Sequence, residues 1–184
     1  MKRLLFILVT MIICCNFIAK AQVSFLGVPI DGNPTSFSKK MSAKGFVVTN
    51  KEPQIKIIYM KGKYWNENVY ICIESTPISN IVYDVTVLFT PNNSWQTLYA
   101  KYKSCIQKAT KLYGKPGAED EYFDHPYNSD SPFIKMTGVE QEACHYWKNF
   151  FVEGGYVMVL IHPSKRVTIS YCNEENEIKC KQEE

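Results

Sequence analysis

Histidine is scarce in this chain, three in 184 residues, and the patterns through which it binds zinc are missing. There is no HExxH, no pair of histidines at ligand spacing and no Cys-His cluster, which argues against a zinc enzyme. Neither a GxSxG elbow nor a GxxxxGK[ST] loop occurs, so the common serine-hydrolase and nucleotide-binding patterns are absent. No two cysteines stand at CxxC spacing, which removes a zinc knuckle and a thioredoxin-type redox site. A membrane-spanning run is also missing. The longest apolar stretch, Leu4 to Ile18, holds about 15 residues, and a bilayer needs about 20.

That short run is a leader rather than an anchor. Lys2 and Arg3 precede it and Ala19-Lys20-Ala21 follows it, the layout of a secretory signal peptide cut between Ala21 and Gln22. A lipoprotein signal is the rival reading, but Cys14 and Cys15 lack the small residue expected just before the lipidated position. Periplasmic or secreted localisation follows, with no stable membrane span after cleavage. The leader holds three of the 21 basic residues and no acid, which leaves 18 against 18 in the mature chain. A balanced charge speaks against nucleic-acid binding, which needs a positive surface to displace counterions.

Mature chemistry is thin as well. Five cysteines remain: Cys72, Cys105, Cys144, Cys172 and Cys180. An oxidising compartment admits one or two disulfides among them; buried thiols are the alternative, and spacing alone does not decide the pairing. Cys144 and His145 are neighbours on an expected strand, so their side chains point to opposite faces and form no thiol–imidazole pair. His162, beside Pro163, reads as a structural histidine at a turn.

What is abundant is structural patterning. Ser94 to Gly114 places Trp95, Leu98, Tyr99, Tyr102, Ile106, Leu112 and Tyr113 at spacings of three and four, with Cys105 and Ala109 between them. This is an amphipathic helix. Ser94 is its expected N-cap, Gly114 its stop, and Pro116 blocks continuation. Asn33-Pro34 opens a second, shorter helix with Phe37 and Met41 on one face and Gly45 at its end.

Strands are expected at Gln54–Met60, Val69–Glu74 and Ile81–Phe89, the last with Ile81, Tyr83, Val85, Val87 and Phe89 on one face. Lys61-Gly62-Lys63 reads as a bulge or bend and Trp65 to Asn68 as a turn. A polar, turn-rich stretch from Lys115 to Glu142 follows the long helix. Beyond it, His145–Val152, Tyr156–His162 and Arg166–Cys172 form a second meander joined by tight turns. The fold class is α+β: a signal peptide (1–21), two helix-plus-antiparallel-meander units of αβββ type in tandem (22–91 and 92–174), and a charged tail (175–184) expected to fray.

Two places could carry function. Tyr64 and Trp65, near an expected hairpin tip, are candidate binding residues for a protein or a sugar, against the simpler reading that Trp65 covers the core edge. In the polar stretch, Glu119, Asp120, Glu121, Asp124 and Asp130, with Asn128, could supply oxygens to calcium, but their spacing matches no calcium loop. The same carboxylates define the alternative function, a small secreted hydrolase. No catalytic residue, metal or cofactor is assigned.

The segments Phe25 to Gly32, Lys44-Gly45-Phe46, Leu112 to Pro116 and Val167 to Tyr171 resemble a family of small secreted proteins of Gram-negative gut anaerobes. That family is uncharacterised and implies no site residues. The helix-plus-meander units are also similar to β-lactamase-inhibitor-like folds and to small envelope-assembly lipoproteins, an analogy at the level of fold. The expected function is an exported, non-enzymatic protein-binding or scaffold module, an enzyme inhibitor being its specific form, with another envelope or secreted protein as partner.

Overall fold

The computed structural model describes residues 23–184; the leader and the Ala21–Gln22 cleavage point lie outside the described residues. Strands β1 (Ser24–Phe25) and β2 (Val28–Pro29) make a small hairpin, and Leu26 and Gly27 turn it at φ 50° and 75°. Helix α1 (Pro34–Ser42) starts as expected, with Asn33 Oδ1 accepting from the Thr35 N–H at 2.9 Å and proline in the first turn. It buries Phe37 and Met41.

Four strands come next: β3 (Val47–Glu52), β4 (Ile57–Tyr64), β5 (Glu67–Ser75) and β6 (Val82–Leu88). The long helix α2 spans Trp95–Tyr113, followed by β7 (Ala118–Phe123), α3 (Pro132–Glu140), β8 (Cys144–Val152), β9 (Gly155–His162), β10 (Arg166–Asn173) and α4 (Glu174–Glu183). Strands β3 to β10 form one sheet in the order β3-β4-β5-β6-β10-β9-β8-β7, antiparallel at every step. The fold is α+β. One half of the sheet comes from residues 47–88 and the other from 118–173, and the halves meet along β6–β10.

Each half has four strands where three are expected. The additional ones, β3 and β7, are the two outer edges, and both are rich in polar and charged residues: Thr49, Asn50, Lys51 and Glu52 in one, Glu119, Asp120 and Glu121 in the other. Charge on an edge discourages pairing with a foreign strand, and it also hides the alternating apolar pattern. Helix α3 lies inside the stretch expected to be a loop. Its start, Ser131-Pro132, repeats the logic of Asn33-Pro34.

Other local expectations need correction. Ser94 makes no side-chain cap; its hydroxyl donates to Gln96 Oε1 at 2.9 Å instead. Gly114 does end α2 at φ 85°. Lys61-Gly62-Lys63 is unbroken strand, and Gly62 is there because the Phe46 ring lies on its bare backbone: a Cβ would sit 2.5 Å from Phe46 Cδ1. In β6 the pairing slips between Asp84 and Val82. The irregularity puts Val82, not Tyr83, with the fully buried Val85 and Val87. The tail is a helix rather than a fraying end. Asn173 Oδ1 caps it, Asn176 Nδ2 donates to Val82 O and Asp31 Oδ1 (both 3.1 Å), and Glu183 accepts from the N–H groups of Ile78 and Ser79 at 2.8 and 2.9 Å.

The core lies on one side of the sheet. Helix α2 buries Trp95, Leu98, Tyr102, Cys105 and Ala109 against that side, where β9 offers Val157, Val159 and Ile161 and β10 offers Val167, Ile169 and Tyr171. Among the described residues, no helix is long and apolar enough to cross a membrane.

Candidate functional site

Because strand side chains alternate, filling one side of the sheet leaves a second face to explain. Its residues follow from the register. One row crosses all eight strands: Val47, Lys61, Tyr70, Leu88, Thr168, Leu160, Trp147 and Asp120. The next runs Tyr59, Cys72, Thr86, Ser170, Met158 and Asn149, and a third Ile57, Glu74, Asp84, Cys172, Tyr156 and Phe151. Helix α4 reaches only one corner, where Glu177 Oε2 meets Tyr156 Oη at 3.3 Å and Cys172 Sγ at 3.5 Å. The remainder is an open face carrying Tyr70, Leu88, Trp147, Met158 and Leu160.

The middle of this face is polar and buried. Asp84 is 8% exposed and accepts hydrogen bonds from Thr86 Oγ1 (2.6 Å) and from Ser170 Oγ. Glu74 Oε2 accepts from Tyr83 Oη at 2.7 Å. Burial pushes the Asp84 carboxyl up to about 7; the two hydroxyls oppose the shift, and Glu74 and Glu177 add to it. A depression of about 420 Å³ lies over these groups, between Tyr59 on one side and His162 on the other.

The thiols there are held in their protonated form. Burial, reinforced by Glu74 and Asp84, raises Cys72; Cys172 is raised by burial too, although Tyr156 opposes it. All five cysteines among the described residues are unbridged. Cys72 and Cys172 share the open face but sit on β5 and β10 with β6 between them, about 9–10 Å apart across the strands and one row apart along them. A disulfide needs Cα atoms within about 7 Å. Cys105, by contrast, is in the core on the opposite side. Among the described residues, no group of three or more His, Cys, Asp or Glu is placed to hold a metal.

The sites read from sequence fare differently. Tyr64 is 3% exposed and bonds Tyr171 through their hydroxyls at 2.5 Å, so it is a core residue with no surface to offer. Trp65 is half-buried at φ 49°, its ring 4.5 Å from that of Tyr64 and Lys108 Nζ 5.0 Å above it. It covers the core edge. The carboxylates of the 119–130 region are dispersed. Glu119 and Glu121 both pair with Lys148, Asp124 Oδ2 meets His145 Nε2 at 2.8 Å, and Asp120 lies on the open face.

His145 stacks on Tyr122 with ring centroids 4.5 Å apart, while Cys144 packs against the core, on the other face as expected. His162 is a turn histidine: its Nδ1 accepts from the Ser164 N–H at 3.1 Å. Sequence reasoning missed Asp84. A lone acid between Tyr83 and Val85 looks like the polar phase of an alternating strand, and only the pairing of β6 with β10 buries it.

No family model, curated protein or solved structure matches this chain.

Proposed function

We propose that this is an exported, non-enzymatic binding module that takes another envelope or secreted protein on the open face of its sheet. One observation carries the reading: aromatic and aliphatic side chains extend across β5, β6, β9 and β8 on a face that, among the described residues, α4 covers at one corner. Of these, Tyr70 and Phe151 are 50% and 64% exposed. Apolar groups gathered on a rigid sheet, rimmed by charge, are the usual make-up of an interface core. An inhibitor of a secreted enzyme is the specific form.

The strand order supports a finer architecture. Each half is a helix followed by four antiparallel strands, with α3 inserted between β7 and β8 in the second, and the last strand of each pairs with the other across β6–β10; we read two tandem units sharing one continuous sheet. The carboxylates around 119–130 favour binding over hydrolysis, since Glu119 and Glu121 are both engaged by one lysine.

The test is affinity capture from envelope and culture fractions with the mature chain, residues 22–184, beside a Tyr70→Asp/Trp147→Asp variant. A stoichiometric partner kept by the wild type and lost by the folded variant supports the reading. A partner retained equally by both places binding elsewhere and refutes it.

A further inference from the structure

One end of the open face, around its first row, holds a depression of about 850 Å³. That lies within the range of pockets that hold small ligands, roughly 300–1,000 Å³. Its cations come from separate elements: Lys44 after α1, Lys61 and Lys63 of β4, and Arg166 at the start of β10. Tyr70 and Leu88 supply apolar wall. No aspartate or glutamate lines it.

Two further observations bear on this collection of charge. The mature chain has equal numbers of acids and bases, so four cations around one cleft without a counter-charge is a local segregation. None of the four forms an ion pair among the described residues, although Lys101, Lys108, Lys148, Lys165 and Lys181 all do. Among the described residues, Arg166 Nε is also buried without a hydrogen-bond partner, so no protein carboxylate or carbonyl neutralises the guanidinium at that atom.

We propose that this cleft binds a polyanionic small molecule bearing phosphate or sulfate groups. Arg166 acts as the oriented donor, the three lysines as point charges, and Tyr70 with Leu88 as the surface for the ligand's body. Asn68 and Thr90, also in the lining, add neutral hydrogen-bonding groups. The inference does not depend on the protein-binding reading: the cleft can bind an anion whether or not the rest of the face takes a protein.

Calorimetric titration of the mature chain with inositol hexakisphosphate and with inorganic pyrophosphate tests it. Co-sedimentation with phosphatidylcholine vesicles, with and without one-fifth phosphatidylglycerol, distinguishes a lipid headgroup from a free anion. Saturable binding of a phosphate probe is expected, weakening as salt rises. Arg166→Gln should weaken it at least tenfold and Lys61→Gln/Lys63→Gln comparably, while Lys179→Gln on α4 leaves it unchanged. Lys61 and Lys63 are exposed, so the double variant keeps its fold even if Arg166→Gln does not. Absence of binding by the folded wild type to every phosphate probe and to anionic vesicles overturns the proposal. Equal weakening by Lys179→Gln overturns it too, since that would show charge without a site.

Discussion

Replacing Asp84 by asparagine should make this protein more stable above neutral pH, and the size of the gain can be worked out. Its carboxyl ionises at about 7 in the fold against 3.8 in an open chain. Three units at about 1.36 kcal/mol each correspond to about 4 kcal/mol. The sign follows from proton counting. Between about pH 4 and 7 the folded state keeps the Asp84 proton while the unfolded chain has lost it, so stability falls as pH rises through that window, and the loss is complete above the folded value.

Asparagine keeps the shape and can still meet Thr86 and Ser170, whose hydroxyls both donate and accept. Urea midpoints measured from pH 4 to 9 provide the assay. Other groups titrate in this range; burial lowers His162, so its contribution is lost as pH falls, in the opposite sense. The informative quantity is therefore the difference between the two proteins. It should grow by several kcal/mol from pH 4 to 8 in favour of the asparagine variant. A difference that stays flat would refute the claim that this carboxylate is ionised at a cost in the fold.

Two further outcomes follow from packing. Gly62→Ala would drive a methyl group to within 2.5 Å of the Phe46 ring and should cost about 1–3 kcal/mol in denaturant midpoint; an unchanged midpoint would show that the ring moves aside freely. Burial raises the Cys105 thiol to about 11, although Lys101 and Lys108 oppose it, and raises Cys144 to about 12. A colorimetric thiol reagent should therefore react with the native protein at least about a hundredfold more slowly than with the urea-unfolded chain, and an unfolded chain of residues 22–184 should titrate five thiols. A shortfall there would reveal a bridge.

Legibility in the sequence tracked how local the determinants were. Helix α2 could be read almost to the residue because its stripe from Trp95 to Ala109 repeats every three to four positions and Gly114 terminates it. Helix α1 was equally plain from Asn33-Pro34. The edge strands β3 and β7 were invisible because their burial is low and their charges serve the edge rather than a core. Tyr64 looked like a surface anchor because a turn follows it, yet its hydroxyl meets Tyr171, a residue 107 positions away. The open face was the least legible of all. Which of two alternating phases faces the helices depends on register across eight strands, and the irregularity near Tyr83 changes the phase within a single strand.

Asp84 ties stability to the proposed use of that face. Thr86 and Ser170 satisfy its oxygens, but the position lies between Glu74 and Cys172 at the buried centre of its row, where an uncharged residue would cost the fold less. A charge kept at a cost in stability is a mark of sites selected for something other than folding. If the face meets a partner through this polar centre, the asparagine variant should be the more stable protein above pH 7 and the poorer binder. Capture at pH 8 with wild type and Asp84→Asn, each confirmed as folded, set beside their urea midpoints at the same pH, measures both. Weaker retention by the more stable protein ties Asp84 to recognition; equal retention would assign Asp84 no part in it.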